Sequence, residues 1–120
     1  MKTATWILFL AIIIILSYFL LNQGKPIGTL IDNDEITITY PQDLQNVNGI
    51  IKVEGMANEK FKSIEVKINL NEWQRAEGVK NWVYTLDTIN LKNGLNIIYA
   101  RGNDGINYSK IKAVRINIKN

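Results

Sequence analysis

The chain has 120 residues and a mass of 13.7 kDa, room for one ordinary domain plus one extra segment. It contains neither cysteine nor histidine, which excludes a disulfide framework, Cys/His zinc sites, thiol nucleophiles, haem held by histidine and every Ser-His-Asp arrangement. A net charge of +3, from 14 basic and 11 acidic residues, is too mild and too mixed to indicate nucleic acid as a partner.

Apolar residues are unevenly spread. They fill 16 of the 18 positions at 4–21, against 39 of the 99 from Asn22 onward. The run 5–21 carries no charge and lies between Lys2 and Lys25. About 18–20 helical residues cross a hydrocarbon core roughly 30 Å thick. In lipid a helix is also the one way a single segment satisfies its own amides. Trp6 and Tyr18 stand near the two ends of the run, where amphipathic rings favour the headgroup region. The reading is an N-terminal transmembrane signal anchor at 1–22, its helix near 4–21, then a linker at 23–34 and a domain at 35–120. A cleaved signal peptide competes with it. Such peptides have an apolar core of roughly 7–15 residues and a small-residue cleavage site, whereas this run is longer and ends Leu20-Leu21-Asn22-Gln23-Gly24. A buried soluble helix is the third reading. Lys2 and the terminal amine, set against Lys25, orient the short N-terminal tail towards the cytoplasm. That predicts a single-pass protein of the cell membrane with its domain on the extracytoplasmic side.

After a flexible tether at 24–28, the remaining sequence alternates with period 2. Ile36, Ile38 and Tyr40 alternate with Thr37 and Thr39 until Pro41. Ile51, Val53, Gly55 and Ala57 share one face, and Lys52, Glu54 and Met56 the other. Ile64, Val66, Ile68 and Leu70 oppose Glu65, Lys67 and Asn69. Trp82, Tyr84 and Leu86 alternate with Val83, Thr85 and Asp87. Ile98, Ala100 and Gly102 follow, then Val114, Ile116 and Ile118 against Ala113, Arg115 and Asn117. One apolar and one polar face per strand marks antiparallel sheets solvated on one side. Asn48-Gly49, Asn93-Gly94 and Asp104-Gly105 supply turn residues that tolerate positive φ. The pattern predicts an all-β fold, an antiparallel sandwich of about seven strands. Its expected core is Ile51, Val53, Val66, Ile68, Trp82, Leu86, Ile98, Ala100, Val114 and Ile116. Glu65, on the opposite face, is expected to matter little to stability.

These runs resemble a known family. Val47-Asn48-Gly49-Ile50-Ile51-Lys52-Val53-Glu54-Gly55-Met56-Ala57 is similar to the V-x-G-x-V-x-V-x-G-x-A opening of prokaryotic immunoglobulin-like domains. Ile64-Glu65-Val66-Lys67-Ile68, followed by Trp73 and Ala76, resembles their V-E-V-x-I-D-G-G-x-W-x-x-A strand pair. Trp82-Val83-Tyr84-Thr85-Leu86 resembles the next strand, and the stretch 91–105 is similar to L-x-x-G-x-N-x-I-x-V-x-A-x-D-x-x-G. The matches are collinear over most of 36–118. Where the family has D-G-G, this chain has Asn69-Leu70-Asn71-Glu72, which implies a different turn. The tryptophan-bearing strand pair also resembles the C-terminal dimerisation domain of molybdenum-containing sulfite oxidases, an accessory without chemistry of its own. The resemblance implies an immunoglobulin-like sandwich and leaves the role open, since this fold hosts many.

Each candidate site has a plain structural reading beside it. Trp73, Trp82, Tyr84 and Tyr99 are either a sugar-stacking platform or, for Trp82 and Tyr84, core residues, with Trp73 covering a sheet edge. Ile97, Tyr99 and Arg101 have outward parity and form the candidate partner surface. Asp32-Asn33-Asp34-Glu35 and Asn103-Asp104-Gly105-Ile106-Asn107 are oxygen-rich, but neither has EF-hand spacing, and Asp104 is expected to cap a turn. Asp87 and Asp104 are the carboxylates weighed for acid–base work, which would need a shared cleft. Asn107-Tyr108-Ser109 fits a glycosylation acceptor, a tripeptide common by chance in a chain with 15 asparagines. No catalytic residue, cofactor or metal is assigned. The expected function is a non-catalytic, membrane-anchored module for protein–protein or cell-envelope interaction, with the lipid bilayer as partner of the N-terminal helix. The alternatives are a carbohydrate-binding accessory domain and a structural spacer or oligomerisation domain. Trp73 and Tyr99 on one solvated face would favour sugar; buried or apart, they would not.

Overall fold

A computed structural model describes residues 35–120. The anchor, the linker and, from the first oxygen-rich cluster, Asp32, Asn33 and Asp34 lie outside these residues. Among the described residues no helix is long and apolar enough to cross a membrane.

The alternating runs become eight strands: β1 (Ile36–Tyr40), β2 (Gln45–Val47), β3 (Ile50–Ala57), β4 (Ser63–Ile68), β5 (Gln74–Arg75), β6 (Asn81–Asp87), β7 (Gly94–Asn103) and β8 (Lys112–Ile118). They form two sheets, β1-β3-β6 and β2-β8-β7-β4-β5, whose apolar faces meet in a sandwich. The turn dipeptides behave as their chemistry requires, with Gly49, Gly94 and Gly105 all at positive φ. A 3-10 turn at Thr88–Asn90, capped by the Asp87 side chain, links β6 to β7.

One pairing departs from the expected all-antiparallel arrangement: β2 runs parallel to β8, Gln45 opposite Ile116 and Val47 opposite Ile118. The cause is a strand that changes sheets. β1 pairs with β3 and stops at the buried Pro41. Leu44 then takes a φ of 64°, and its N–H donates to the Arg115 carbonyl at 2.7 Å. Beyond this bend β2 continues in the direction of β1 but alongside the other sheet, whose nearest strand runs the same way. The crossing adds β2, and the two-residue β5 at the opposite edge brings the count to eight.

Nine of the ten expected core residues are buried; Ile51 is half-buried, one residue into β3 beside the Asn48-Gly49 turn. Ile36, Val47, Phe61, Ile64, Ala76 and Ile118 complete the core. Phe61 comes from the β3–β4 loop and packs on Gly102, where a Cβ would stand 2.7 Å from its ring. Trp82 is 1% exposed, and its ring lies against Gly55, which has no side chain to obstruct it. Leu70 does not continue the inner face of β4: the strand ends at Ile68, Asn69 takes a φ of 52°, and Leu70 is 96% exposed at the turn. The Asn71 N–H donates to the Ile68 carbonyl, closing a tight turn in place of the family's D-G-G.

Candidate functional site

The outer face of the five-stranded sheet brings together residues far apart in the sequence. β4 and β7 pair so that Glu65 faces Arg101 and Lys67 faces Tyr99. All four have outward parity, and all are half-buried. Trp73, just before the edge strand β5, lies over this face. The Arg101 guanidinium lies between two rings, 4.1 Å from the Trp73 centre and 3.7 Å from that of Tyr108. The Lys67 ammonium lies 5.0 Å from the Trp73 ring and 5.2 Å from Tyr99. The result is a row of alternating aromatic and cationic groups, Tyr108–Arg101–Trp73–Lys67–Tyr99. Its distances suit the attraction between a cation and a ring's negative face.

Glu65 anchors the row from the side. It pairs with Arg101 at 2.8 Å and accepts from the Asn103 amide at 3.4 Å. The side chains of Arg101 and Glu65 are only 18% and 19% exposed. Glu65 was expected to be a bland surface residue; its tertiary partner makes it part of the structure. The same contacts qualify the expected partner surface. Ile97, Tyr99 and Arg101 do share the outer face of β7, but Arg101 is held on both sides and at its edge. Ile97 and Tyr99 continue along β7 to the exposed Leu95, with Leu70 at the tip of the adjoining turn. Trp73 and Tyr99 therefore lie on one solvated face, linked through Lys67. Trp82 does not join them, being core, and Tyr84 packs partly buried against the core.

The carboxylates have local duties. Asp104 accepts from the N–H groups of Ile106 and Asn107 at 2.8 and 2.6 Å, closing its own turn as expected. These bonds hold its carboxyl below the usual value, with Lys60 and Lys62 adding to the effect. Asp87 caps the 3-10 turn by accepting from Ile89. Asp87 ends β6 and Asp104 follows the far end of the ten-residue β7, so the two do not make a pair. Asp43 accepts from Arg115 through both carboxylate oxygens, which depresses its carboxyl and fastens the sheet crossing. Among the described residues no three acidic side chains gather in a way that could hold a metal. Shallow grooves mark the surface of the sandwich, and two of them border residues discussed above. One, of about 340 Å³, lies between β1 and β8 near Thr37 and Val114; the other, of about 250 Å³, lies by Lys67, Glu72 and Tyr84.

The aromatic–cation row was not foreseen as a unit. Its signal was the shared outward parity of Glu65, Lys67, Tyr99 and Arg101, which becomes a site only once β4 is known to pair with β7.

No protein-family model matches the chain, and no curated protein does. Solved structures do resemble it. An endo-beta-1,4-mannanase from Thermotoga petrophila is similar at a TM-score of 0.65 and 16% identity, over 75% of this chain and 20% of the mannanase. Fibronectin(III)-like modules of Clostridium thermocellum CbhA are similar at 0.50 and 18% identity, over 70% of this chain and 95% of theirs. An engineered protein is similar at 0.56 and 12% identity, over 71% of this chain and 20% of its own. The chain thus spans about a fifth of the mannanase. These likenesses establish the fold, an immunoglobulin-like β-sandwich.

Proposed function

We propose that the chain is a non-catalytic display module, tethered to the membrane by residues 1–22, whose outer β4–β7 face receives a protein or cell-envelope partner. The observation that carries this reading is the rigid row from Tyr108 to Tyr99 and its apolar continuation through Ile97 and Leu95. Aromatic and arginine groups held in place lose little freedom on binding, which suits them to anchor a partner. Tethering raises local concentration, so a modest surface suffices.

A carbohydrate-associated role is the second reading, favoured by Trp73 and Tyr99 on one face and by neighbours that include a mannanase. Against it, Arg101 and Lys67 already occupy positions over the Trp73 ring, and Lys67 lies over Tyr99. A sugar ring stacking there would have to displace cations worth about 0.5–1 kcal/mol each. The test is a crosslinking pull-down from native membranes with the full-length chain, alongside a Leu95→Asp, Tyr99→Ala double variant and a glycan array. A specific protein lost in the variant supports the display reading. Glycan binding that disappears in Trp73→Ala, with no protein captured, replaces it with the second.

A further inference from the structure

The loop joining β7 to β8, residues 104–111, presents three apolar side chains to solvent: Ile106 at 89%, Tyr108 at 56% and Ile111 at 53% exposure. Isolated exposed apolar residues need no explanation, but three within six positions form a patch. The loop that carries them is firmly built. Asp104 closes its turn, and Ser109 and Gly102 exchange two hydrogen bonds, backbone to backbone at 2.9 Å and amide to hydroxyl at 2.8 Å. Asn103 bridges to Tyr108, whose ring stacks on Arg101. A loop held this way offers its tips at little entropic cost.

Its place in the fold says what it faces. The chain enters the sandwich at Ile36, opposite Ala57 at the end of β3, and Asn58 donates to the Glu35 carbonyl. Lys62 donates to the Asn103 carbonyl, which joins the β3–β4 loop to the end of β7. The 104–111 loop and the incoming chain therefore share one end of the sandwich. On the anchor reading, the chain length of residues 22–34 limits the distance from this end to the bilayer to at most about 45 Å. Most charges at this end have acidic neighbours: Lys60 pairs with Glu35, Lys80 with Glu59, and Asp104 lies near Lys60 and Lys62, while Lys110 adds one positive charge to the loop itself. Three apolar tips against one lysine make the loop's exposed surface mainly apolar.

We propose that this loop seats in the lipid interface, Ile106 and Ile111 entering the headgroup boundary and Tyr108 lying at its level, so that the sandwich stands on the membrane by this end. The proposal rests on the anchor reading of residues 1–22. Docking of this kind buries apolar tips roughly 5–10 Å deep, and a tyrosine ring belongs at that depth. It leaves the far end, with Leu70, Ile97 and Leu95, turned towards solvent.

The absence of native cysteine makes the test clean. Ile106→Cys, Ile111→Cys and Ile89→Cys full-length chains, each carrying one NBD fluorophore, are reconstituted into phosphatidylcholine vesicles. Ile89 is 66% exposed on the 3-10 turn at the opposite end of the sandwich. Labels at 106 and 111 are expected to emit at shorter wavelength than the label at 89. Nitroxide lipid should quench them by roughly twofold or more relative to 89, with no loss in high salt. If all three labels respond alike while the chain resists carbonate extraction, docking is overturned and the anchor reading stands. If carbonate extracts the chain, the anchor reading falls and the docking with it. A shift to shorter wavelength without lipid quenching marks a protein contact and also overturns docking.

Discussion

Gly55→Ala probes how tightly the two sheets close on one another. An added Cβ would stand 2.1 Å from the Thr37 carbonyl oxygen and 2.2–2.4 Å from two atoms of the Trp82 ring. Ordinary contacts between such atoms lie near 3.5 Å, so neighbours on two sides must retreat by more than about 1 Å. One neighbour is the backbone of β1, which as an edge strand pairs only with β3. The other is the largest fully buried side chain, and buried side chains in close-packed interiors have little room to shift. Overpacking costs typically 1–3 kcal/mol, and a clash shared between backbone and ring belongs at the upper end, about 3 kcal/mol. The better strand propensity of alanine recovers about 0.5–1 kcal/mol at most. The assay is urea unfolding of residues 28–120 followed by tryptophan fluorescence, compared at constant m. Gly49→Ala is the control: nothing lies within 4 Å of its Cβ position, and its φ of 63° leaves only backbone strain, about 1–2 kcal/mol. A Gly55→Ala midpoint at or above that of Gly49→Ala would refute the packing argument.

Other outcomes follow from the same coordinates. Ile98→Ala, from the core, should cost about 2–5 kcal/mol. Glu65→Ala, on the outer face, should cost about 1–2 kcal/mol, because it leaves the Arg101 guanidinium without its partner. A cost at Glu65 larger than that at Ile98 would mean the β4–β7 register is wrong. Asp43 and Asp104 have folded pKa values below the ordinary 3.8, so the unfolded chain binds protons first as pH falls. Their contribution is complete above the ordinary value and is lost as pH drops through the folded ones. Urea midpoints measured from about pH 5 to pH 2 should therefore fall, and fall less steeply in Asp104→Asn.

The faces of the strands were legible because period 2 is a local signal: Val53, Val66, Ile98 and Ile116 declare themselves by their neighbours in sequence. Leu70 shows where that signal stops, since it keeps the inner parity of β4 after the chain has already turned. Phe61 lies in a loop with no periodicity, and its burial depends on the missing side chain of Gly102, some forty residues later. The parallel β2–β8 pair depends on a sheet crossing at 41–44, which Pro41 announces only as a strand end. The aromatic–cation row is the least local of all. Lys67 and Tyr99 become neighbours through register alone, and Trp73 reaches them from a segment with barely any strand of its own.

The sheet crossing also determines how the sandwich bears load. A pull that arrives through residue 35 and is resisted at the opposite end runs along the strand axes. The β1–β3 hydrogen bonds lie across that direction, so tension shears them together and does not unzip them one by one. Beyond Pro41 the same tension meets β2, held to β8 by its own ladder, by the bond from Leu44 to the Arg115 carbonyl and by the Asp43–Arg115 pair. The first strand of the module is thus clamped to both sheets in series, and the second clamp stays in place until the first has given way.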